Sequence, residues 1–262
     1  MIMYSIFFIY GLLVGSFLNV CIYRIPKGLS IVRPASLCPS CGNPVKFYDN
    51  IPVLGYIFLG GKCRSCKAGI SSRYPLVEFL NAVLYLILVS RFGTASVPAL
   101  IVYCALLSAL IVITFIDIDY QIIPDVISLT GIPLGIFFGA ILLPDPFLRT
   151  ELMGFKTSFI GFLAGAAGFY MIAVLGKLVF RKDAMGGGDI KLMAMIGGFL
   201  GWKGVILTTF LGSLFGAVIG IALIVWKGRE WGAQIPFGPY LALGAVVSLF
   251  WWQELLVWYG VF

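Results

Sequence analysis

Runs of about 20 mostly apolar residues recur along most of this chain, and each can cross a hydrocarbon core as a helix with its backbone hydrogen bonds satisfied internally. That pattern leads to an all-α polytopic membrane protein. With 61% hydrophobic residues, 11% charged residues and a mean hydropathy of +1.05, a soluble globule would lack the polar surface to cover itself. Spans are expected at residues 3–22, 76–92, 97–116, 126–143, 157–180, 189–201, 204–226 and 239–260. Of these eight helices, 189–201 is too short to span without tilting.

One stretch breaks the rhythm. From Arg24 to Tyr74 the chain carries eight Lys or Arg, several Pro and Gly, and four of its six Cys. The expected organisation is therefore a first transmembrane helix (1–23), a small aqueous domain built on four cysteines (24–75) and a transmembrane core (76–262). The first span has no basic n-region and no small residues where cleavage would need them, so it is read as a retained helix. If the inserted domain faces the cytoplasm, alternation brings 117–125, 181–188 and 227–238 to the same side. That side then holds 14 of the 18 basic residues, counting Lys177 and Lys191 at the adjoining span ends, as the positive-inside rule requires. Both termini are then expected in the periplasm. The basic residues sit beside span ends rather than on one amphipathic face, which points to a lipid bilayer and away from nucleic acid.

Two acidic clusters fall on the expected cytoplasmic side. Asp117, Asp119 and Asp125 follow the third span with no Lys or Arg among them, and Asp189 follows Gly186-Gly187-Gly188. A carboxylate at the edge of hydrocarbon is costly unless it faces water or a partner, so such residues mark function. The dipole opposes Asp117 at a helix C-terminus, which leaves a functional role or a solvated loop. Asp125, after Pro124, suits an N-cap equally well. Asp189 alone reads as an N-cap closing a glycine loop; with Asp117 it reads as half of a pair. Two facing carboxylates share a proton, and such a pair hydrolyses peptides by activating water with one acid and protonating the scissile carbonyl with the other. The chain has no His. That excludes Ser-His-Asp and Cys-His mechanisms and deprives a metalloprotease of its usual ligands.

Cys38-Pro-Ser-Cys41 and Cys63-Arg-Ser-Cys66 are two C-x-x-C knuckles separated by 21 residues. They read as a zinc ribbon whose metal supplies folding free energy to a domain with few aliphatics. Disulfides and thiol redox chemistry are the alternatives, and a reducing cytoplasmic side disfavours the first. Cys21 and Cys104 lie in apolar spans as small core residues.

The residues then resemble a family. Gly186-Gly187-Gly188-Asp189 fits the G-x-G-D motif of intramembrane aspartic proteases, and Asp117-Ile-Asp119 with Ile123-Pro124-Asp125 is similar to the other half of the type IV prepilin peptidase signature. Val14 to Pro26, the two Cys pairs and Ser72-Arg73-Tyr74-Pro75 with Glu78 match in order along nearly the whole chain. The resemblance implies an inner-membrane enzyme that removes the leader of type IV prepilins or type II secretion pseudopilins and N-methylates the new terminus using S-adenosyl-L-methionine. It implies Asp117 and Asp189 as the catalytic pair, Gly186, Gly188, Asp119 and Asp125 in support, and Cys38, Cys41, Cys63 and Cys66 on Zn2+. Glu78 is a candidate for contacting the substrate amine, with a first-turn residue favoured by the helix dipole as the other reading. No G-x-G-x-x-G is present, so the methyl donor must bind in another way. Two other classes fit some features: a proton- or cation-coupled transporter using intramembrane Asp, and a scaffold holding a partner through its ribbon. The aspartates at one membrane face and the lack of a repeat argue against the transporter, and the scaffold leaves the acids unexplained.

Overall fold

The computed structural model describes residues 2–93, 96–147, 151–181, 185–227 and 236–258. Among them the helices are α1 (Ile2–Arg24), α2 (Leu54–Phe58), α3 (Arg73–Phe92), α4 (Val97–Tyr120), α5 (Asp125–Ile141), α6 (Gly154–Phe180), α7 (Gly187–Lys227) and α8 (Gly238–Trp258). The described residues pair only in isolated β-bridges. By length and composition α1, α3, α4, α6 and α7 can cross a membrane, and α5 is a shorter apolar helix. The eight expected spans correspond to α1, α3, α4, α5, α6, the two halves of α7, and α8. Arg149, Lys182 and Arg229, used in the charge count, lie outside the described residues.

The chain divides into two compact units, Met1–Val112 and Ile113–Phe262. In the first, α1 and α3 pack antiparallel through glycine. A Cβ on Gly11 would lie 2.6 Å from the Ala82 Cα, and one on Gly15 2.6 Å from the Glu78 Cα, so only hydrogen there lets the backbones meet. The polar groups of this interior satisfy one another, as burial in lipid demands. Asn81 donates to the Gly11 carbonyl (2.8 Å), the Ser108 hydroxyl donates to Asn81 Oδ1 (2.9 Å), and Tyr85 bonds Ser108 (2.8 Å).

The second unit is built on α7. A Cβ on Gly161 of α6 would lie 2.2 Å from the Gly197 carbonyl, and one on Gly131 of α5 2.3 Å from Met195 Sδ. The Ser158 hydroxyl links α6 to α7 by donating to the Gly198 carbonyl at 2.6 Å. Gly201 breaks α7 with φ 70° and ψ 178°, a conformation only glycine adopts readily. Val205 returns to within 2.9 Å of a Cβ built on Gly197. Eight residues of straight helix would separate them by about 12 Å, so the chain reverses at Gly201. Leu241 and Tyr240 of α8 pack on Gly212 and Gly216 in the second half of α7.

Three local boundaries differ from expectation. α4 runs one turn further, to Tyr120, because Gln121 takes the left-handed conformation (φ 54°) and its N–H closes on the Asp117 carbonyl at 2.9 Å. Asp125 is the first residue of α5 rather than its cap; Pro124 holds the cap position and no side chain bonds there. α7 begins at Gly187, so Asp189 lies inside its first turn rather than capping it.

The packing makes a paired prediction on one helix. Gly161→Ala forces a methyl into the Gly197 carbonyl and should lower stability by about 1–3 kcal/mol, whereas Gly168→Ala, with open space around it, should hold it or raise it by up to about 1 kcal/mol. Thermal unfolding of both variants in detergent measures the difference.

Candidate active site and metal centre

Asp117 sits in the last turn of α4, where that helix's dipole opposes it, yet its side chain is buried at 5% exposure. The fold resolves the conflict with a second helix. Asp117 Oδ2 accepts the Gly238 N–H at 2.9 Å, and Gly238 opens the 21-residue α8, so the carboxylate lies against a helix N-terminus that favours negative charge. The contact requires glycine, since a Cβ on Gly238 would stand 2.7 Å from that oxygen.

Asp189 is half-buried in the first turn of α7, with its N–H bonded to the Gly186 carbonyl at 3.1 Å. The two carboxylates are near enough to feel each other's charge. Ile123 lies against both halves of this arrangement. A Cβ on Gly188 would be 2.9 Å from the Ile123 Cβ, and one on Gly238 3.3 Å from its Cδ1. Gly187 has nothing within 4 Å, so the middle motif position carries no steric demand, unlike Gly188.

The remaining acids are placed differently. Asp119 is exposed. Asp125 is also exposed and pairs with Lys191 Nζ at 2.7 Å, which ties the start of α5 to the start of α7. Gly238 was not among the residues singled out from sequence, and Ile123 entered only within the Ile123-Pro124-Asp125 motif. The signal available was Pro236-Phe-Gly-Pro239 opening the last span, a turn sequence whose partner lies 121 residues away.

In the first unit, the two cysteine knuckles have the same local geometry. The Cys38 N–H bonds the Asn43 carbonyl (2.9 Å) and the Gly42 N–H the Cys38 carbonyl (2.8 Å); in the second, Cys63 bonds Ala68 (2.8 Å) and Lys67 bonds Cys63 (3.0 Å). Gly42 and Lys67 each take a positive φ, 70° and 61°, and a β-bridge flanks each knuckle. All four Sγ atoms lie within 4.8 Å of one another, with Cys38 and Cys66 at 3.9 Å. A tetrahedral ion with metal–sulfur bonds of about 2.3 Å sets sulfurs about 3.8 Å apart, so the cluster fits one metal ion. The N–H groups of Cys41 and Ser40 point at the Cys38 sulfur and pull its thiol down to about 6, leaving a thiolate at neutral pH. Arg64, inside the second knuckle, forks onto Asp49 (2.6 and 2.8 Å) and holds that carboxyl below its usual range.

The ribbon and the ends of α1 and α3 enclose a cavity of about 710 Å³. Arg24 fastens its outer loop by donating to the Ser30 and Pro34 carbonyls at 2.9 and 2.8 Å. Glu78, 7% exposed, lines it and accepts the Val53 N–H on Oε2 at 2.7 Å. Val53 has φ 60° and ψ −51°, and the Leu54 N–H closes on the Pro52 carbonyl at 2.6 Å. This is a γ-turn of the rare positive-φ kind, centred on a β-branched residue, and such backbone costs on the order of 1–3 kcal/mol.

Residues 9–92 match the profile described as bacterial peptidase A24 N-terminal domain, and residues 104–221 match that of the type IV leader peptidase family. Among curated proteins, a prepilin leader peptidase/N-methyltransferase of Aeromonas salmonicida is 34% identical, the alignment covering 98% of this chain and 93% of that protein. The protein of the same description from Pseudomonas aeruginosa is 37% identical over 94% and 89%. That from Neisseria gonorrhoeae is 34% identical over 89% and 85%. No solved structure gives a significant match.

The exposed Asp125–Lys191 pair should contribute little, since such pairs are worth about 0–1 kcal/mol. Lys191→Ala is expected to change the unfolding free energy by less than about 1 kcal/mol, measured by denaturant titration in detergent.

Proposed function

We infer that this chain, which belongs to the type IV leader peptidase family, is a multi-pass inner-membrane enzyme that cleaves the leader of type IV prepilins or type II secretion pseudopilins and N-methylates the new N-terminus. The observation that carries the cleavage reading is the buried Asp117 carboxylate, set against the start of α8 within reach of Asp189's charge. Asp117 is assigned the ionised role, because the Gly238 N–H and the α8 N-terminus both support an anion there. It takes a proton from a water as that water attacks the scissile carbonyl. Asp189, carrying the shared proton, donates to the carbonyl oxygen. Gly186 and Gly188 shape the turn into Asp189, and Gly188 leaves room for Ile123. Asp125 supports the site indirectly by joining α5 to α7, and Asp119 belongs to its water-facing rim.

The positive-inside distribution orients the reading: ribbon and aspartates at the cytoplasmic face, both termini in the periplasm. A prepilin's basic leader then stays in cytoplasmic water while its apolar helix lies in lipid, and the scissile bond sits at the level of the aspartates. S-adenosyl-L-methionine supplies the methyl group. The methylating half is assigned to the ribbon with Glu78, and its four thiolates to structural Zn2+, which soft sulfur ligands select.

Two measurements test these roles. Asp117→Asn and Asp189→Asn are nearly isosteric and unable to share the proton; each should lower prepilin cleavage by at least about a hundredfold while methylation of a pre-cleaved peptide persists. Normal cutting by either variant removes that residue from the pair. Elemental analysis should find one zinc per chain, absent after Cys38→Ser with Cys66→Ser, and zinc loss should weaken methylation more than cleavage; equal loss of both would contradict the division.

A further inference from the structure

The inserted domain carries apolar side chains where an aqueous fold would hide them. Helix α2 is little more than one turn and has two unlike faces. Gly55 packs so closely on the Asp49 carbonyl that a Cβ would lie 2.2 Å from it, and Tyr56 and Leu59 line the ribbon's cavity. Leu54, Ile57 and Phe58, at i, i+3 and i+4, share the opposite face. All three are exposed, Ile57 at 62% and Phe58 at 80%. Phe47, in the turn packed against α2, is exposed as well and stands edge-on to Tyr48. A cluster of large apolar side chains left bare marks a surface that something covers.

Hydrogen bonds to the spans fix the height of this face. The Val53 N–H, immediately before α2, donates to Glu78 in the second turn of α3, and Asn19 of α1 donates to the Tyr74 carbonyl at 3.1 Å. A helical side chain leans over the turn preceding its own Cα, so the Glu78 carboxylate and the start of α2 lie near the level of Tyr74. Tyr74 and Tyr23 are exposed at the ribbon ends of α3 and α1, and Lys27 Nζ lies 3.5 Å from the Tyr23 ring centroid. Tyrosine and lysine at span ends sit at headgroup depth. α2 therefore lies at that depth too, not out in bulk water.

Charge identifies what covers it. From Arg24 to Tyr74 the chain has eight Lys or Arg against one acid, Asp49, a net charge of +7, and Asp49 is taken by Arg64. Lys46 and Lys62, which flank α2 in sequence, are exposed. Anionic headgroups complement such a surface, whereas the basic leader assigned to the substrate is repelled by it. The apolar face is small, yet α1 and α3 tether it at both ends, so its contact with the leaflet is intramolecular and needs little area.

We propose that the ribbon lies on the leaflet at its own end of α1 and α3, with Leu54, Ile57 and Phe58 at the boundary between headgroups and acyl chains and Lys46 and Lys62 on anionic headgroups. The insertion is then a monotopic module, fastened to the bilayer at a third point between its two spans. This requires α1 and α3 to cross the membrane and depends on neither of the two reactions.

The test uses the full chain in nanodiscs, with 4-trifluoromethylphenylalanine in place of Phe58. One set of discs is phosphatidylcholine alone, and the other also carries phosphatidylglycerol. Fluorine relaxation is read with a nitroxide on the upper acyl chain and, separately, with a water-soluble nickel chelate. In the anionic discs the nitroxide should relax the fluorine several times more than the chelate does. A Lys near an anionic surface favours docking about fivefold, so this lipid-to-water ratio should fall at least about fivefold in phosphatidylcholine discs, and as far with Lys46→Gln and Lys62→Gln together. Molar salt, which screens headgroup charge, should do the same to the chain that keeps both lysines, so the outcome does not hang on how the variant folds. A ratio favouring the chelate in anionic discs overturns the proposal, since the face then meets water. Protection from both probes overturns it by showing a protein cover, a second copy if the protection is lost in discs holding one chain, the substrate if it comes only with added prepilin. A lipid contact equal in both kinds of disc and unmoved by salt overturns the headgroup assignment.

Discussion

A carboxylate that ends an apolar helix and is withdrawn from water needs a donor from elsewhere in the chain. For Asp117 that donor is the Gly238 N–H, and much of the second unit is organised to deliver it. The contact fixes where α8 begins, requires glycine at its first position, and brings Gly238 over Ile123. Ile123 in turn excludes any side chain from Gly188, the residue before Asp189. A single hydrogen bond thus couples the end of α4, the start of α8 and the glycine turn of α7 in one local geometry.

The same economy of backbone contact recurs throughout the membrane-embedded parts. Lipid gives helices no hydrophobic reason to associate, so close approach and internal polar pairing must do the work. Gly11 and Gly15 serve α1 and α3, Gly161 and Gly197 serve α6 and α7, and Asn81 with Ser108 and Ser158 tie helices by bonds that would be weak in water. The ribbon follows another logic. It has little core; its two knuckles converge four sulfurs on one point in a geometry that fits a metal ion, and the Arg64–Asp49 fork adds a polar tie where burial is scarce.

Much of this was legible from residue order because the signals are local. Apolar runs located the spans, the expected boundary between 189–201 and 204–226 falls at the break in α7, and the two C-x-x-C pairs announced a shared metal geometry. Asp117 stood out because no basic residue accompanies its cluster, and Asp189 because three glycines precede it and Asp117 offers it a partner. What could not be read depends on residues far apart in the chain. Gly238 contacts Asp117 across 121 positions, and Val53 reaches Glu78 across 25; neither periodicity nor composition carries such pairings. The end of α4 was misplaced by a turn because Gln121, a residue with no special liking for positive φ, closes it. Asp125 was open to a capping role by type and position, yet Lys191 claims its side chain instead.

The reversal at Gly201 reaches beyond packing. From Gly187 the first half of α7 has about 14 residues, a rise of about 21 Å, against a hydrocarbon core of about 30 Å. Such a segment cannot reach both leaflets' headgroups at once, so the bilayer must thin around it or water must follow it inward. Asp189 rides at one end of this short rod, and its depth relative to the lipid boundary is therefore set jointly by the protein and by the acyl chains around it. The lipid's chain length thereby becomes one of the variables that set how much water an acid at this position meets.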